Sequence, residues 1–243
     1  MKHIIEANNV CMDFQIGDGS VVHALKGINL QIEPNKLSIL RGRSGSGKTT
    51  LINILGALDR PTSGEVMFLR HDNDITKLPD AARDMLRRND MAFVFQSVAL
   101  ISTMTAFENV EFALRLTKMP YKERVERAKE SLVQVGLEKR MHHRPGEMSG
   151  GEQQRVAIAR AISHSPKIIF ADEPTAELDS PTGFAVMKLF RDLVRQNDLT
   201  IVMTTHDTSM MEIADIVYTL EDGVISDTTI NQHADGNEEV TDA

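Results

Sequence analysis

The stretch Gly42-Arg43-Ser44-Gly45-Ser46-Gly47-Lys48-Thr49 fits the spacing G-x-x-x-x-G-K-[ST], which suits a loop wrapped around nucleotide phosphates. Its glycines let the backbone turn so that successive N–H groups converge on one anion, and the start of a following helix adds a favourable dipole. In that arrangement Lys48 reaches the β- and γ-phosphates, the Thr49 hydroxyl binds Mg2+, and Thr50 extends the run of nucleotide contacts. A glycine-rich turn that binds nothing has the same letters. Context separates the two: Leu37-Ser38-Ile39-Leu40 before the loop reads as a buried strand, and Leu51-Ile52-Asn53-Ile54-Leu55 after it as a helix.

Two further constellations carry chemistry. Lys167-Ile168-Ile169-Phe170-Ala171-Asp172 is an apolar strand ending in a carboxylate, with Glu173 next. An unpaired buried charge is costly, so such an ending calls for a partner. Beside the phosphate loop, Asp172 can hold Mg2+ through water, and Glu173 can polarise a water for in-line attack on the γ-phosphate. Read alone, the two acids ahead of Pro174-Thr175 also suit an acidic helix start. Met148-Ser149-Gly150-Gly151-Glu152-Gln153-Gln154-Arg155 reads as a helix capped by Ser149, either an ordinary cap or a second anion-binding surface. One nucleotide is not easily reached by two such surfaces in one lobe. Two copies facing each other can share it.

These groups need a scaffold, and the chain supplies one. Up to about residue 34, apolar and polar residues alternate around a turn at Gly17-Asp18-Gly19, with strands at 21–25 and 28–32 in an antiparallel layer. The phosphate-loop unit closes at Pro61-Thr62-Ser63-Gly64. A short strand at 65–69, a polar helix from Pro79-Asp80 through Arg88 and a buried strand at 91–95 follow. Residues 97–160 have no strand signal and contain two amphipathic helices, 105–118 and 121–135, so they read as a helical insertion. The α/β pattern resumes with strands at 167–171, 200–204 and 216–220 and helices at 182–195 and 208–214. Such alternation predicts a mostly parallel sheet covered on both faces.

The 243 residues suit one large domain, or a domain with an inserted lobe, and 41% hydrophobic content is ample for its core. A formal charge of −8 argues against general electrostatic binding of nucleic acid. The single cysteine, Cys11, excludes an internal disulfide framework, fits a reducing cytosol and reads as a small strand residue. No apolar run approaches the roughly 18 residues of a membrane-spanning helix, so a membrane role is expected to come through a partner. The N-terminus lacks the long apolar centre of a signal peptide. Residues 227–243 are acidic, without Lys or Arg, and read as a solvated, mobile tail.

With these motifs in this order, the chain resembles the nucleotide-binding subunit of an ATP-binding cassette (ABC) transporter from Ile4 to about Ser226. The resemblance makes residues 1–226 one ABC ATPase domain, a P-loop NTPase core with an antiparallel layer and the helical lobe at 97–160. It makes Gly42 to Thr49 the Walker A loop, Ile168 to Asp172 Walker B, Glu173 the catalytic base and Gln96 the Q-loop residue, whose amide contacts Mg2+ or water. Ser149, Gly150, Gly151 and Glu152 become the signature motif, acting on the opposite chain. Asp179 belongs to the D-loop Ala176-Glu177-Leu178-Asp179 and His206 is the switch histidine at the γ-phosphate. Phe14 falls where an aromatic ring stacks on adenine, although core packing in a strand remains an alternative.

The segments from Leu55 to Gly64, Gly136-Leu137-Glu138 and Arg144-Pro145 are similar to those of macrolide-exporting and lipoprotein-releasing members. That likeness implies a head-to-tail homodimer hydrolysing MgATP at the cytoplasmic face of the cell membrane. Its partners would be integral permease subunits and an extracytoplasmic adaptor, with a peptide, antibiotic or lipoprotein-like cargo. An ATP-dependent clamp regulating a signalling or cell-wall complex is the alternative within the same family. Four positions depart from the family pattern: Met148 for Leu, Glu152 for Gln, Phe14 for Tyr, and the acidic Glu177, which bears on dimer closure through charge repulsion.

Overall fold

The computed structural model describes residues 3–17, 19–69 and 73–231. Asp18 of the expected turn and most of the acidic tail, 232–243, lie outside the described residues. Strands β1 (Ile5–Gln15), β2 (Val21–Ile32) and β4 (Ser63–Phe68) form an antiparallel sheet in the order β2-β1-β4. A second sheet joins β3 (Leu37–Arg41), β5 (Met91–Val94), β6 (Ile168–Asp172), β7 (Thr200–Thr205), β8 (Ile216–Glu221) and β9 (Val224–Ile230) in the order β5-β6-β7-β3-β8-β9. Its pairings are parallel except for β8 with β9.

The central strands are apolar on both faces because each face meets a separate core. Side chains alternate across a strand, so neighbours in sequence go to opposite sides. Ile168, Phe170, Val202 and Leu40 enter the core shared with the antiparallel sheet and helix α1 (Lys48–Leu55). Ile169, Ala171, Ile201, Met203 and Ile39 enter the other core, with α6 (Ser180–Asn197) and the helical lobe. All of these side chains are buried, each worth about 1.5–3 kcal/mol for the larger aliphatics.

Helix α2 (Asp80–Asn89) precedes β5, and the lobe holds α3 (Ala106–Arg115), α4 (Tyr121–Gln134) and α5 (Gly150–Ile162). Thr105 and Glu108 cap α3 reciprocally. Buried Glu111 then ties α3 to α4, accepting from Arg115 Nε at 2.8 Å and Arg124 Nε at 2.7 Å. Burial pushes its carboxyl up, but these guanidinium hydrogen bonds outweigh that and hold it below the ordinary range. Helix α5 packs on α3 and α4 and also against β5 and α6.

Three expectations need correction. Residues 21–25 and 28–32 form one strand, because the irregular register between Ala7 and Val10 absorbs the break, with Asn9 (φ 50°) and Gly27 (φ 75°) in left-handed conformations. The helix expected at 208–214 is a 3-10 helix, Thr208–Ile213. There Asp207 Oδ1 accepts from the Ser209 N–H at 2.9 Å and hydroxyl at 2.7 Å, a local turn that competes with α-helical bonding. Residues 227–230, read as mobile tail, belong to β9. The hairpin turn Asp222-Gly223, at φ 47° and 83°, returns the chain onto β8.

Candidate nucleotide site

Parallel strands end on the same side of a sheet, which brings three loops together at the C-terminal ends of β3, β6 and β7. The phosphate loop leaves β3 and enters α1. Gly47 caps that helix at φ 102°, and a Cβ there would stand 2.6 Å from the Ala24 carbonyl oxygen, so the turn into the helix requires glycine. Lys48, only 6% exposed, donates to the carbonyls of Gly42 at 2.8 Å and Arg43 at 3.2 Å. Its ammonium also lies 3.7 Å from Glu173 Oε1.

Of the strand-end acids only Glu173 meets this lysine, whereas Asp172 is held by two threonine hydroxyls. Thr49 donates its hydroxyl to Asp172 Oδ1 at 3.2 Å, and Thr204 does so at 2.6 Å. Thr204 Oγ1 in turn accepts the Glu173 N–H at 2.8 Å. Glu173 Oε2 lies 2.6 Å from His206 Nδ1, which makes Lys48, Glu173 and His206 one charged cluster. Glu173 has φ 47°, a left-handed conformation that costs a non-glycine residue about 1–3 kcal/mol and persists where the surroundings hold it. Thr204 supplies that hold on the N–H side. The acidic-helix-start alternative does not describe Glu173: α6 begins seven residues later, at Ser180, under an Asp179 cap.

Gln96 lies two residues beyond Val94, the end of β5, and Val94 is in register with Ala171. The glutamine is therefore brought to the same sheet end as Asp172 and Glu173, exposed and with no hydrogen bond among the described residues. Phe14 is 43% exposed and paired across the hairpin with exposed Val22, so its ring is not part of the core. Arg43, Ser44 and Gly45 are exposed on the loop, Ser46 is buried, and Thr50 is half-buried in the first turn of α1.

Ser149 caps α5 in a reciprocal box: its Oγ accepts the Glu152 N–H at 3.3 Å, and Glu152 Oε2 accepts the Ser149 N–H at 2.9 Å. That backbone bond, aided by Arg140, holds the Glu152 carboxyl below the ordinary range. Gly150 is exposed beside this cap. Among the described residues, no hydrogen bond or ion pair joins the cap to the Lys48–Glu173–His206 cluster. The cap instead abuts the Asp179 loop. A Cβ on Gly151 would stand 2.3 Å from Thr182 Cγ2, and Thr182 is held by Asp179 through bonds of 3.0 and 2.9 Å. Those bonds depress the Asp179 carboxyl, the backbone bond most. Glu177 is exposed beside it.

The sequence reading missed Thr204 as a site residue. Its signal was a hydroxyl pair, Thr204-Thr205, closing an otherwise apolar strand; both side chains are buried. The left-handed backbone at Glu173 had no sequence signal.

The fit to a phosphate ligand rests on groups left without partners. Ser46 Oγ is buried on the loop with no hydrogen bond, an unsatisfied polar atom that a phosphate oxygen would complete. Among the described residues, no three His, Cys, Asp or Glu side chains form a ready metal cage. The Thr49 hydroxyl and Asp172 carboxylate are hard oxygen donors, the set that suits Mg2+ shared with substrate phosphates.

The family model described as "ABC transporter" matches residues 25–176. The chain is 45% identical over 225 residues to the macrolide export ATP-binding/permease protein MacB of Wolinella succinogenes, covering 93% of this chain and 34% of that protein. It is 41% identical over 223 residues to the lipoprotein-releasing system ATP-binding protein LolD of Syntrophotalea carbinolica, covering 92% and 97%. A solved dimeric structure of the ATP-binding cassette MJ0796 (Methanocaldococcus jannaschii), in a post-hydrolysis state with ADP and Pi, superposes with a TM-score of 0.84 at 39% identity. It covers 95% of this chain and 100% of that one. A phosphate loop completed by a strand-end acid pair, within a fold shared almost end to end with such cassettes, makes the chain a member of the ABC transporter family: an ATP-driven transporter subunit that binds and hydrolyses ATP.

Proposed function

We propose that two copies of this chain close head to tail around two ATP molecules, each site taking its phosphate loop from one copy and Ser149-Gly150-Gly151 from the other. The observation that carries this is the Glu173 carboxylate held between Lys48 and His206, with the Ser149 cap outside that cluster. In each site Lys48 exchanges its bonds to the Gly42 and Arg43 carbonyls for γ-phosphate oxygens. Glu173 orients a water in line with the γ-phosphorus and accepts its proton as the bond to the leaving oxygen breaks. His206 holds Glu173 and faces the γ-phosphate; placing charge in this way is the main device available to phosphoryl transfer. Thr49, Asp172 and Gln96 would hold Mg2+, which when bound neutralises charge on the phosphate oxygens. Phe14 offers its exposed ring face to adenine, and Asp179 sets the loop that meets the partner copy.

The chain up to the end of β9 at Ile230, rather than to 226, acts as one ATPase unit with the 97–160 lobe as its signature-bearing arm. The dimer works on the cytoplasmic face through integral permease subunits and an extracytoplasmic adaptor, a reading supported by likeness to MacB and LolD. Likeness to MacB and LolD supports export or extraction of an antibiotic, peptide or lipoprotein-like cargo.

Shared sites are tested by mixing two inactive variants. A Lys48→Ala chain and a Ser149→Arg chain are each inactive alone, but their mixed dimer holds one site made of two intact halves. Phosphate release should therefore return on mixing. A mixture as inactive as its components would refute the shared site. Separately, capture from detergent-solubilised membranes should recover an integral membrane subunit.

A further inference from the structure

Among the described residues, the side-chain hydrogen bonds to the segment that follows Gln96 come from the helical lobe. Arg160, on α5, donates Nη1 to the Ala99 carbonyl at 2.7 Å and Nη2 to the Val98 carbonyl at 3.0 Å. These carbonyls belong to the two peptide planes that flank the Ala99 Cα, so one guanidinium sets both backbone torsions of Ala99. Ala99 sits at φ 46°, a left-handed conformation that alanine adopts reluctantly. Further along, buried Asn109 on α3 accepts the Ile101 N–H at 2.8 Å and donates to the carbonyls of Ile101, Met104 and Thr105.

Arg160 is half-buried, and no carboxylate among the described residues pairs with it. Burial alone lowers its pKa, so a desolvated cation is spent on two neutral carbonyls. That is a costly way to hold a loop with no task.

We propose that Arg160 is the positioning residue of the Gln96 loop, clamping Val98 and Ala99 so that the strained turn aims Gln96 at the nucleotide cluster. This rests on the reading of Gln96 as a group that contacts Mg2+ or water. The clamp also lies on the helix that Ser149 caps, about 16 Å along it, so a shift of the cap is delivered to the turn.

The test compares Arg160→Met, Ala99→Gly, their combination, and Gln96→Ala in MgATP hydrolysis, with nucleotide affinity measured separately. Arg160→Met should lower kcat about tenfold while the nucleotide Kd moves less than about threefold, since the 42–49 loop is untouched. Amide hydrogen exchange over 97–101 should quicken. Ala99→Gly alone should hydrolyse at the wild-type rate, and in the Arg160→Met background it should restore part of kcat, because glycine enters a positive φ without the steric penalty alanine carries. If the combination is no faster than Arg160→Met, the proposal fails. Gln96→Ala separates the two readings. Wild-type hydrolysis by that variant overturns the Gln96 assignment and this proposal with it; an impaired Gln96→Ala beside a fully active Arg160→Met overturns this proposal alone. Should Arg160→Met not fold, Arg160→Lys is read instead. One retained donor should give an intermediate kcat at unchanged Kd, and wild-type kcat would overturn the clamp.

Discussion

Replacing Glu173 with glutamine isolates proton acceptance from shape. The side chain is largely buried and its Oε1 and Oε2 face Lys48 at 3.7 Å and His206 at 2.6 Å. The amide keeps that volume and the Glu173 N–H bond to Thr204, so no cavity opens and the left-handed backbone is unchanged. His206 is 65% exposed, and a polar contact so solvated contributes about 1 kcal/mol or less to stability. Lys48 remains able to exchange the Gly42 and Arg43 carbonyls for γ-phosphate oxygens, so ATP binding is preserved. Removal of a general base costs about 10²–10⁴ in rate, or about 2.7–5.5 kcal/mol of barrier. Glu173→Gln should therefore lower kcat by about 10²–10⁴-fold while nucleotide affinity stays within about tenfold. With ATP it should accumulate as a dimer. Phosphate release and sedimentation in ATP measure both effects, and turnover within about threefold of wild type would refute the base assignment.

Other substitutions probe the scaffold around the cluster. Thr204→Val removes the hydroxyl that serves both Asp172 and the Glu173 N–H, and should destabilise the fold by about 1–3 kcal/mol in urea titration and lower kcat as well. Gly151→Ala drives a methyl into Thr182 and should cost about 1–3 kcal/mol, with ATP-dependent dimerisation weakened while monomer ATP binding is retained. His164 gives a pH test. Burial lowers its pKa against the opposing Met91 carbonyl and Asp90, so the unfolded chain takes up the proton first as pH falls. Stability from neutral His164 is complete above its ordinary value of about 6.5 and is lost below it. His164→Gln should flatten the change in urea midpoint between about pH 8 and about pH 5.5; an unchanged slope would contradict the assignment.

Much of this architecture was legible because local patterns and the fold agree. The runs 37–40, 168–171 and 201–203 announced buried strands, and two-sided burial accounts for their unbroken apolarity. The phosphate loop was readable because its glycines and lysine are contiguous. The Asp222-Gly223 turn signal was present but not read, because the acidic composition beyond it moved residues 227–230 into the tail. Asp207 turned a helical pattern into a 3-10 helix through side-chain bonding that competes with the backbone.

By itself the sequence determined the phosphate loop, the apolar strand ending in Asp172-Glu173 and the Ser149 cap, since each depends on neighbours within a few residues. Tertiary structure decided which of these meet. Parallel pairing of β3, β6 and β7 placed Lys48, Glu173, Thr204 and His206 at one sheet end, although up to 158 residues separate them. It also left the Ser149 cap unbonded to that end and fastened the Gln96 turn to Arg160. Local patterns encode torsions and faces, whereas convergence of distant side chains is fixed by strand order and register, which no short segment contains.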